Sequence, residues 1–528
     1  MADLKQVTGK QLKTMLHDAH ELALLDVREP GQFGESHLLF ATPLPYSRLE
    51  LDVVALVPRK SARLVLCDDG ESGVSERAAK RLEAIGYTDV AVLEGGTRGW
   101  AQAGYALFAG VNVPSKLFGE LVEHEYHTPR VTVTELAKMK EAGEDFVIVD
   151  GRPFAEYQKM NIPGGICCPN AELPYRIAGI VKDPKTKIIV NCAGRTRSIM
   201  GAQTLINFGV PNPVYALENG TQGWVLADME LERGASRRYP ERVSEGELPR
   251  LRQQAEALMQ RHGVTRVSPD TVRLWLAEPN RTTSLLDVRT AEEFEAGSVP
   301  GAVHAPGGQL VQATDQWVGV RNARIVLIDS EGVRAPVVAG WLKQLGCEVY
   351  VLEEGSRAKL SAPTPRAPDL PAVASIRAQD VKGACERNAC SVFDLRPSMS
   401  FRKNHVPGSR WSIRSRLAAD ARGAKQPVVL VVDDPGIARA AAIDLTEAGI
   451  EDVKVLDGGL AAWIAAGHPT ESSPDVPPDG DCIDYLFFVH DRHAGNREAM
   501  KQYLAWETGL IAQLEADDRT LFRVGTSA

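Results

Sequence analysis

The sequence predicts an α/β chain of four tandem units, each a parallel sheet flanked by helices, and three observations carry that reading. At 528 residues the chain exceeds what one hydrophobic core usually supports, about 250 to 300 residues. A DxR tripeptide recurs behind an apolar run at LALLDVR, FVIVDGR, SLLDVR and SVFDLR, with Asp26, Asp150, Asp287 and Asp394 at its head. Behind each tripeptide comes the same succession of a turn, an apolar run, a helix-capable stretch and a second apolar run.

Taken in order within a unit, the first apolar run reads as a strand ending at DxR. About a dozen residues later a turn follows, as ESHL, NIPGG, SVPGA or NHVPGS, and Pro-Gly marks three of the four. The next run, RLVLC, KIIVNC, RIVLID or VVLVVD, is too short and too uniformly apolar for a surface helix and reads as a buried strand. A helical stretch ending near a glycine comes next. Then DVAVLEGG, PVYALENG, EVYVLEEG and DVKVLDGG give the last strand, and Trp100, Trp224 and Trp463 follow it in three copies. Strands alternating with helices over such a length form parallel layers, with functional loops at the carboxyl ends of the strands.

These landmarks divide the chain into units at 1–110, 128–233, 264–360 and 373–470, with a helical C-terminal extension at 478–528. The charged stretch 234–263 separates the second unit from the third and suggests two halves, while the proline-rich 361–372 is a semi-rigid spacer. In the extension, apolar residues at 500, 503, 504, 506, 510, 511 and 514 approach helical spacing and predict a docked helix.

Composition narrows the function. A net charge of −9 lacks the basic excess that a phosphate backbone demands, so nucleic acid is not an expected partner. No apolar run reaches the roughly 20 residues of a membrane helix, and the N-terminus MADLKQVTGKQLK does not read as a signal peptide. A cytoplasmic protein without membrane partners is expected. Eight irregularly spaced cysteines with no CxxC point to free thiols rather than zinc or a disulfide framework. His490 and His493 lack further ligands at metal spacing.

The chemistry concentrates in the second unit, where Asn191-Cys192-Ala193-Gly194-Arg195-Thr196-Arg197-Ser198 joins the buried strand to a helix. Consecutive amides in such a turn, with the positive end of the helix, make an anion site that favours a thiolate. Arg195 and Arg197 add positive charge, which should depress the cysteine pKa below its reference of about 8.5. Gly194 allows the tight path.

DxR, the PGA turn, the strand ending at cysteine and the final LxGGxxxW together resemble the rhodanese family across nearly the whole chain. The third copy departs most, with EEG and then SRAKL at its end. The C-x4-R-S loop is similar to the six-residue active loop of that family. The resemblance implies a sulfurtransferase: Cys192 attacks the outer sulfur of thiosulfate or a related donor, sulfite leaves, and the persulfide is held by residues Ala193 to Ser198. A thiol or cyanide then takes the sulfur, and no metal or organic cofactor is required. Arg176, between the turn and the catalytic strand, is a candidate ligand for the small anionic donor. Related cysteine phosphatases use five intervening residues, one more than here, to cradle a tetrahedral phosphate.

The other copies read as inactive. Cys67 ends the corresponding strand of the first unit but faces Asp68, Asp69 and Glu71, whose like charge should keep it protonated. Asp329 and Asp433 stand at the corresponding positions of units three and four, and Arg334 reads as a solvated counterpart of Arg197. Cys167 and Cys168 read as core residues, with a relay role as the alternative. The DxR pairs read as structural ion pairs. The rival to an enzyme is a scaffold or a sulfur-relay or redox-sensing protein, in which Cys192 receives sulfur from a partner protein.

Overall fold

The computed structural model describes residues 4–241, 243–492 and 495–525. It contains four five-stranded sheets, all of whose strand pairs are parallel. Counting strands along each copy, all four sheets have the order 1-5-4-2-3. The third and fourth positions of that order are the apolar runs around DxR. In the second copy these are Lys187–Asn191 and Phe146–Asp150, in register from Phe146 opposite Lys187 to Asp150 opposite Asn191. They are central strands with helices on both faces, so they lack the polar alternation of a sheet with one wet side.

Each DxR closes on itself in the same way. Arg152 donates from its backbone N–H and Nε to Asp150 Oδ1 (3.1 and 2.8 Å), and from its terminal nitrogen to Asp150 Oδ2 and the Met160 carbonyl (both 2.7 Å). Arg28, Arg289 and Arg396 repeat the pattern on Asp26, Asp287 and Asp394, each reaching a carbonyl eight residues on. These buried fork-like pairs tie the end of the strand to the turn behind it. Trp100, Trp224 and Trp463 make the matching closure at the other end, each donating its indole N–H to a carbonyl six residues later (2.9, 2.9 and 2.8 Å). The third copy has a short 3-10 turn, Gly355–Arg357, at that place.

The copies do not associate as sequential halves. One compact unit gathers Met1–Thr14, Ala23–Val111 and Pro365–Phe487, and the other Met15–Leu22, Asn112–Thr364 and Phe488–Ala528. Copies one and four thus share a unit, as do two and three. The charged stretch expected to separate copies two and three instead joins them, because its helix Leu248–Arg261 has an apolar stripe of Leu251, Ala255, Leu258 and Met259 that is buried. That helix donates from Gln254 Nε2 to the Gly209 carbonyl of copy two (3.2 Å) and from Arg252 Nε to the Glu331 carbonyl of copy three (2.6 Å). Directly between the two copies, Trp341 donates to Thr204 Oγ1 (2.8 Å). In the other unit, buried Arg414 of copy four binds Glu50 (2.8 Å) and the Tyr46 carbonyl (3.0 Å) of copy one.

The C-terminal extension forms a helix, Arg497–Thr508, that ends at Gly509. Its Arg497 donates to the carbonyls of Val225 and Leu226 (2.8 and 2.9 Å). Met500, Tyr503 and Leu510 are buried, Ile511 is exposed, and Glu507, which the apolar pattern passes over, is fully buried. Among the described residues no helix is long and apolar enough to cross a membrane.

Candidate active site in the second copy

Strand Lys187–Asn191 ends one residue before Cys192, and helix Thr196–Phe208 begins four residues after it. The turn between them is held by a second loop. Thr221 N–H donates to the Cys192 carbonyl (2.9 Å), and Gln222 donates to the Ala193 carbonyl from its backbone (3.1 Å) and its side chain (3.0 Å). Gly220, at φ +50°, has to be glycine: a Cβ there would lie 2.2 Å from the Cys192 oxygen. Gly194 has a different reason from the tight path expected of it. A Cβ on it would meet Gln222 Nε2 and Glu507 Oε2 at 3.2 Å and Tyr503 at 3.4 Å, so it is small because three side chains crowd it.

Among the described residues, the backbone N–H groups of Ala193, Gly194, Arg195 and Arg197 donate to no protein acceptor. They follow the buried Cys192 in sequence and lead into the N-terminus of a thirteen-residue helix. Ser198 closes the first turn, its hydroxyl donating to the Arg195 carbonyl (2.8 Å). The two guanidiniums are not free charges. Arg195 binds Glu120 through two nitrogens (2.8 and 2.9 Å) and also Glu123. Arg197 binds both oxygens of Glu156 (2.9 and 2.8 Å). With its cations ion-paired, what the loop offers an anion is chiefly its amides and the helix terminus.

The same hydrogen bonds fix the register of three copies, and a close backbone approach fixes that of the fourth. The residue whose carbonyl accepts from the second loop is Cys192 in copy two, Asp68 in copy one (from Thr97) and Asp329 in copy three (from Ser356). In copy four the glycine of the second loop, Gly459, approaches the carbonyl of Val432. The strand pairing agrees, since Asp26 faces Cys67 as Asp150 faces Asn191 and Asp394 faces Val431. Cys67 therefore matches Asn191, not Cys192, and the expected correspondences of Cys67 and Asp433 are each off by one residue. Their apolar runs continue one residue differently into the loop, and periodicity alone does not show where pairing stops.

What fills the loop differs between copies. In copy three the Asp329 carboxylate accepts from the N–H groups of Gly332 (3.0 Å), Val333 (2.9 Å) and Ala335 (3.0 Å). In copy one Asp68 accepts from Gly70 (2.7 Å), Ser75 (3.0 Å) and the Ser72 hydroxyl (3.2 Å). Both loops cradle a carboxyl group that belongs to the chain, and burial raises the pKa of the one in copy three. Burial pushes the Cys67 thiol well up, with Asp26 as the next contributor and Asp68 and Asp69 smaller ones. The direction is the expected one, but desolvation leads. Cys167 is likewise pushed up to about 12 by burial and then Asp150, and burial also raises Cys168.

Two arginines are more buried and more tightly paired than the sequence suggests. Arg334 is not solvated but fully buried, because Glu172 (2.8 Å), Glu331 (2.6 Å) and Glu293 (2.5 Å) converge on it. Arg176, expected to receive the donor, is buried with its guanidinium committed to Glu172 (3.0 Å), Glu293 (3.5 Å) and the Pro240 and Glu241 carbonyls, beside the rings of Tyr175 and Tyr239. His493 lies outside the described residues.

Sequence reasoning missed Glu507. Its Oε1 accepts from the Thr196 hydroxyl (2.5 Å) and backbone N–H (3.3 Å), with Lys116 Nζ at 3.4 Å. Burial raises its pKa, but Lys116, Thr196, Arg492 and Arg195 outweigh that and hold it below the ordinary carboxylate value. The available signal was positional: residues 500, 503, 507 and 510 share one helix face.

The chain matches the Rhodanese-like domain family at residues 8–103, 132–227, 268–360 and 377–466. A crystal structure titled thiosulfate sulfurtransferase, from Pseudomonas aeruginosa, is 43% identical, with a TM-score of 0.91 over 99% of this chain and 100% of that one. The thiosulfate sulfurtransferase GlpE of Pseudoalteromonas translucida is 34% identical over 77 residues, 14% of this chain and 73% of that protein. An HTH-type transcriptional regulator of Mycobacterium tuberculosis is 35% identical over 105 residues, 20% of this chain. That match spans 45% of the regulator's own length. With four matched segments covering most of its length, four sheets of one topology and a relative aligned from end to end, this chain belongs to the rhodanese-like family as a tandem, four-copy member.

Proposed function

We propose that this rhodanese-like enzyme moves a sulfane sulfur from thiosulfate or a related small donor to a thiol or cyanide, and that Cys192 carries it as a persulfide. One observation carries the reading. At the register where copies one and three hold a carboxylate in their loop amides, copy two has a thiol and leaves four amides without a protein acceptor.

The Cys192 thiolate attacks the outer sulfur of the donor; the S–S bond breaks and sulfite leaves with its electron pair. The terminal sulfur of the persulfide carries the negative charge, and the N–H groups of Ala193, Gly194, Arg195 and Arg197 surround it. Attack on that sulfur by cyanide or an acceptor thiolate releases thiocyanate or a new persulfide and restores Cys192. Residues 193 to 198 form the binding loop, with Arg195 and Arg197 as ion-paired struts that fix its shape. The catalytic domain is 128–233, and the units at 1–110, 264–360 and 373–470 are inactive because no thiol stands at the nucleophile's register. A cytoplasmic location is part of the proposal, supported by eight cysteines that are all free thiols.

Thiocyanate formation from thiosulfate and cyanide tests the reading. Cys192→Ser should lower the rate by on the order of a thousandfold or more, while Cys67→Ser keeps it. Retained activity in Cys192→Ser would refute the assignment.

A further inference from the structure

The amide that Glu507 occupies has a counterpart in copy three. Thr196 lies four residues after Cys192, as Val333 lies four residues after Asp329. The Val333 N–H is held by the Asp329 carboxylate (2.9 Å), and the Thr196 N–H by the Glu507 carboxylate (3.3 Å). Copy two therefore also receives a carboxylate into its loop, from the C-terminal helix instead of from its own strand. Among the described residues Glu507 Oε2 makes no hydrogen bond, although it is buried, and it lies 3.2 Å from where a Gly194 Cβ would be. A fixed negative oxygen thus borders the unoccupied amides of Gly194 and Arg195. Lys116, 3.4 Å from the other oxygen, together with Arg492 and Arg195 supplies the positive charge that favours the ionised form of Glu507.

We propose that Glu507 is a specificity-determining residue. Its carboxylate competes with the donor for the Thr196 amide and repels a second negative charge, so the loop discriminates against dianionic donors such as thiosulfate in favour of sulfur donors of lower charge. This inference rests on the reading of Cys192 as the sulfur carrier. Two like charges a few ångströms apart in a partly desolvated site repel each other more strongly than in water. Removing the carboxylate also leaves Lys116 unneutralised beside the loop. Both effects favour a dianion.

The test separates binding from chemistry. Thiosulfate is titrated calorimetrically into Cys192→Ser, which cannot accept sulfur, and into Cys192→Ser/Glu507→Gln, with sulfate as an inert dianion. The expected result is a Kd on the order of tenfold lower for both dianions in the double variant, about 1.4 kcal/mol. Glu507→Ala in the same background should gain likewise, which checks that the lost charge and not the new amide is responsible. Circular dichroism establishes that each variant is folded, and a loosened loop would weaken binding, not tighten it. Unchanged, weaker or undetectable binding in the Glu507 variants overturns the proposal. Sulfur uptake by protein with Cys192 intact is measured alongside. Tighter dianion binding without any uptake would sink the carrier reading and keep the charge gate, and uptake without an affinity gain would do the reverse.

Discussion

At the residue scale, one position per copy decides whether the loop after the central strand is filled or open. Asp68 and Asp329 fill theirs, Val432 offers no polar group, and Cys192 leaves amides open. The thiols outside this register are set against reaction. A cysteine pushed to about 12, as Cys167 is, holds a thiolate fraction of only about one in ten thousand at pH 8. A raised thiol pKa means that the reactive form grows with rising pH without levelling off below that value. Iodoacetamide at pH 8 should therefore leave Cys67, Cys167 and Cys168 unmodified in the folded protein, as read by peptide mapping. Rapid labelling of any of them would contradict their burial. Gly220 gives a second prediction. Alanine there meets the Cys192 carbonyl at 2.2 Å with a positive φ, so Gly220→Ala should lose about 2 to 3 kcal/mol in denaturant unfolding and most of the sulfur transfer.

At the element scale, the loop between strand and helix is held differently in different copies. Copy three relies on the Asp329 carboxylate for three N–H groups. Asp329→Ala should therefore cost about 2 to 4 kcal/mol, measured as a lower unfolding midpoint, because buried donors are left without acceptors. An effect below about 0.5 kcal/mol would mean that the amides are met some other way. The repeating elements were legible because each strand and turn carries a local mark: apolar run, DxR, Pro-Gly, final glycine. The exact end of a strand was not. LVLC and VVLVV look alike as apolar runs, and only the pairing of Asp26 with Cys67 and Asp394 with Val431 shows where the loop begins. The burial of Arg334 and Arg176 is not legible for a related reason: carboxylates distant in sequence complete their surroundings, Glu172 lying 162 residues from Arg334 and Glu293 lying 117 from Arg176. Glu507 escaped because apolar spacing marks a buried helix face but not the one charged residue set into it.

At the scale of the whole molecule, the chain runs through copies one to four while its compact units pair one with four and two with three. No local pattern announces that nesting, since the contacts that create it, such as Trp341 to Thr204 or Arg414 to Glu50, join segments 137 and 364 residues apart. Asp68 and Asp329 belong to different units and share no partner among the described residues. The double variant Asp68→Ala/Asp329→Ala should thus lose the sum of the two single losses within about 0.5 kcal/mol. A coupling above about 1 kcal/mol, read from the same unfolding curves, would contradict their independence.

In the proposed reaction one cysteine of eight carries the sulfur. Its most direct test is the intact mass of the protein after incubation with thiosulfate, or with a persulfide donor of lower charge, followed by peptide mapping of any gain. A single added sulfur atom is expected on the peptide containing Cys192, absent from Cys192→Ser and present in Cys67→Ser. Sulfur on Cys67, or none on Cys192 from either donor, would contradict it.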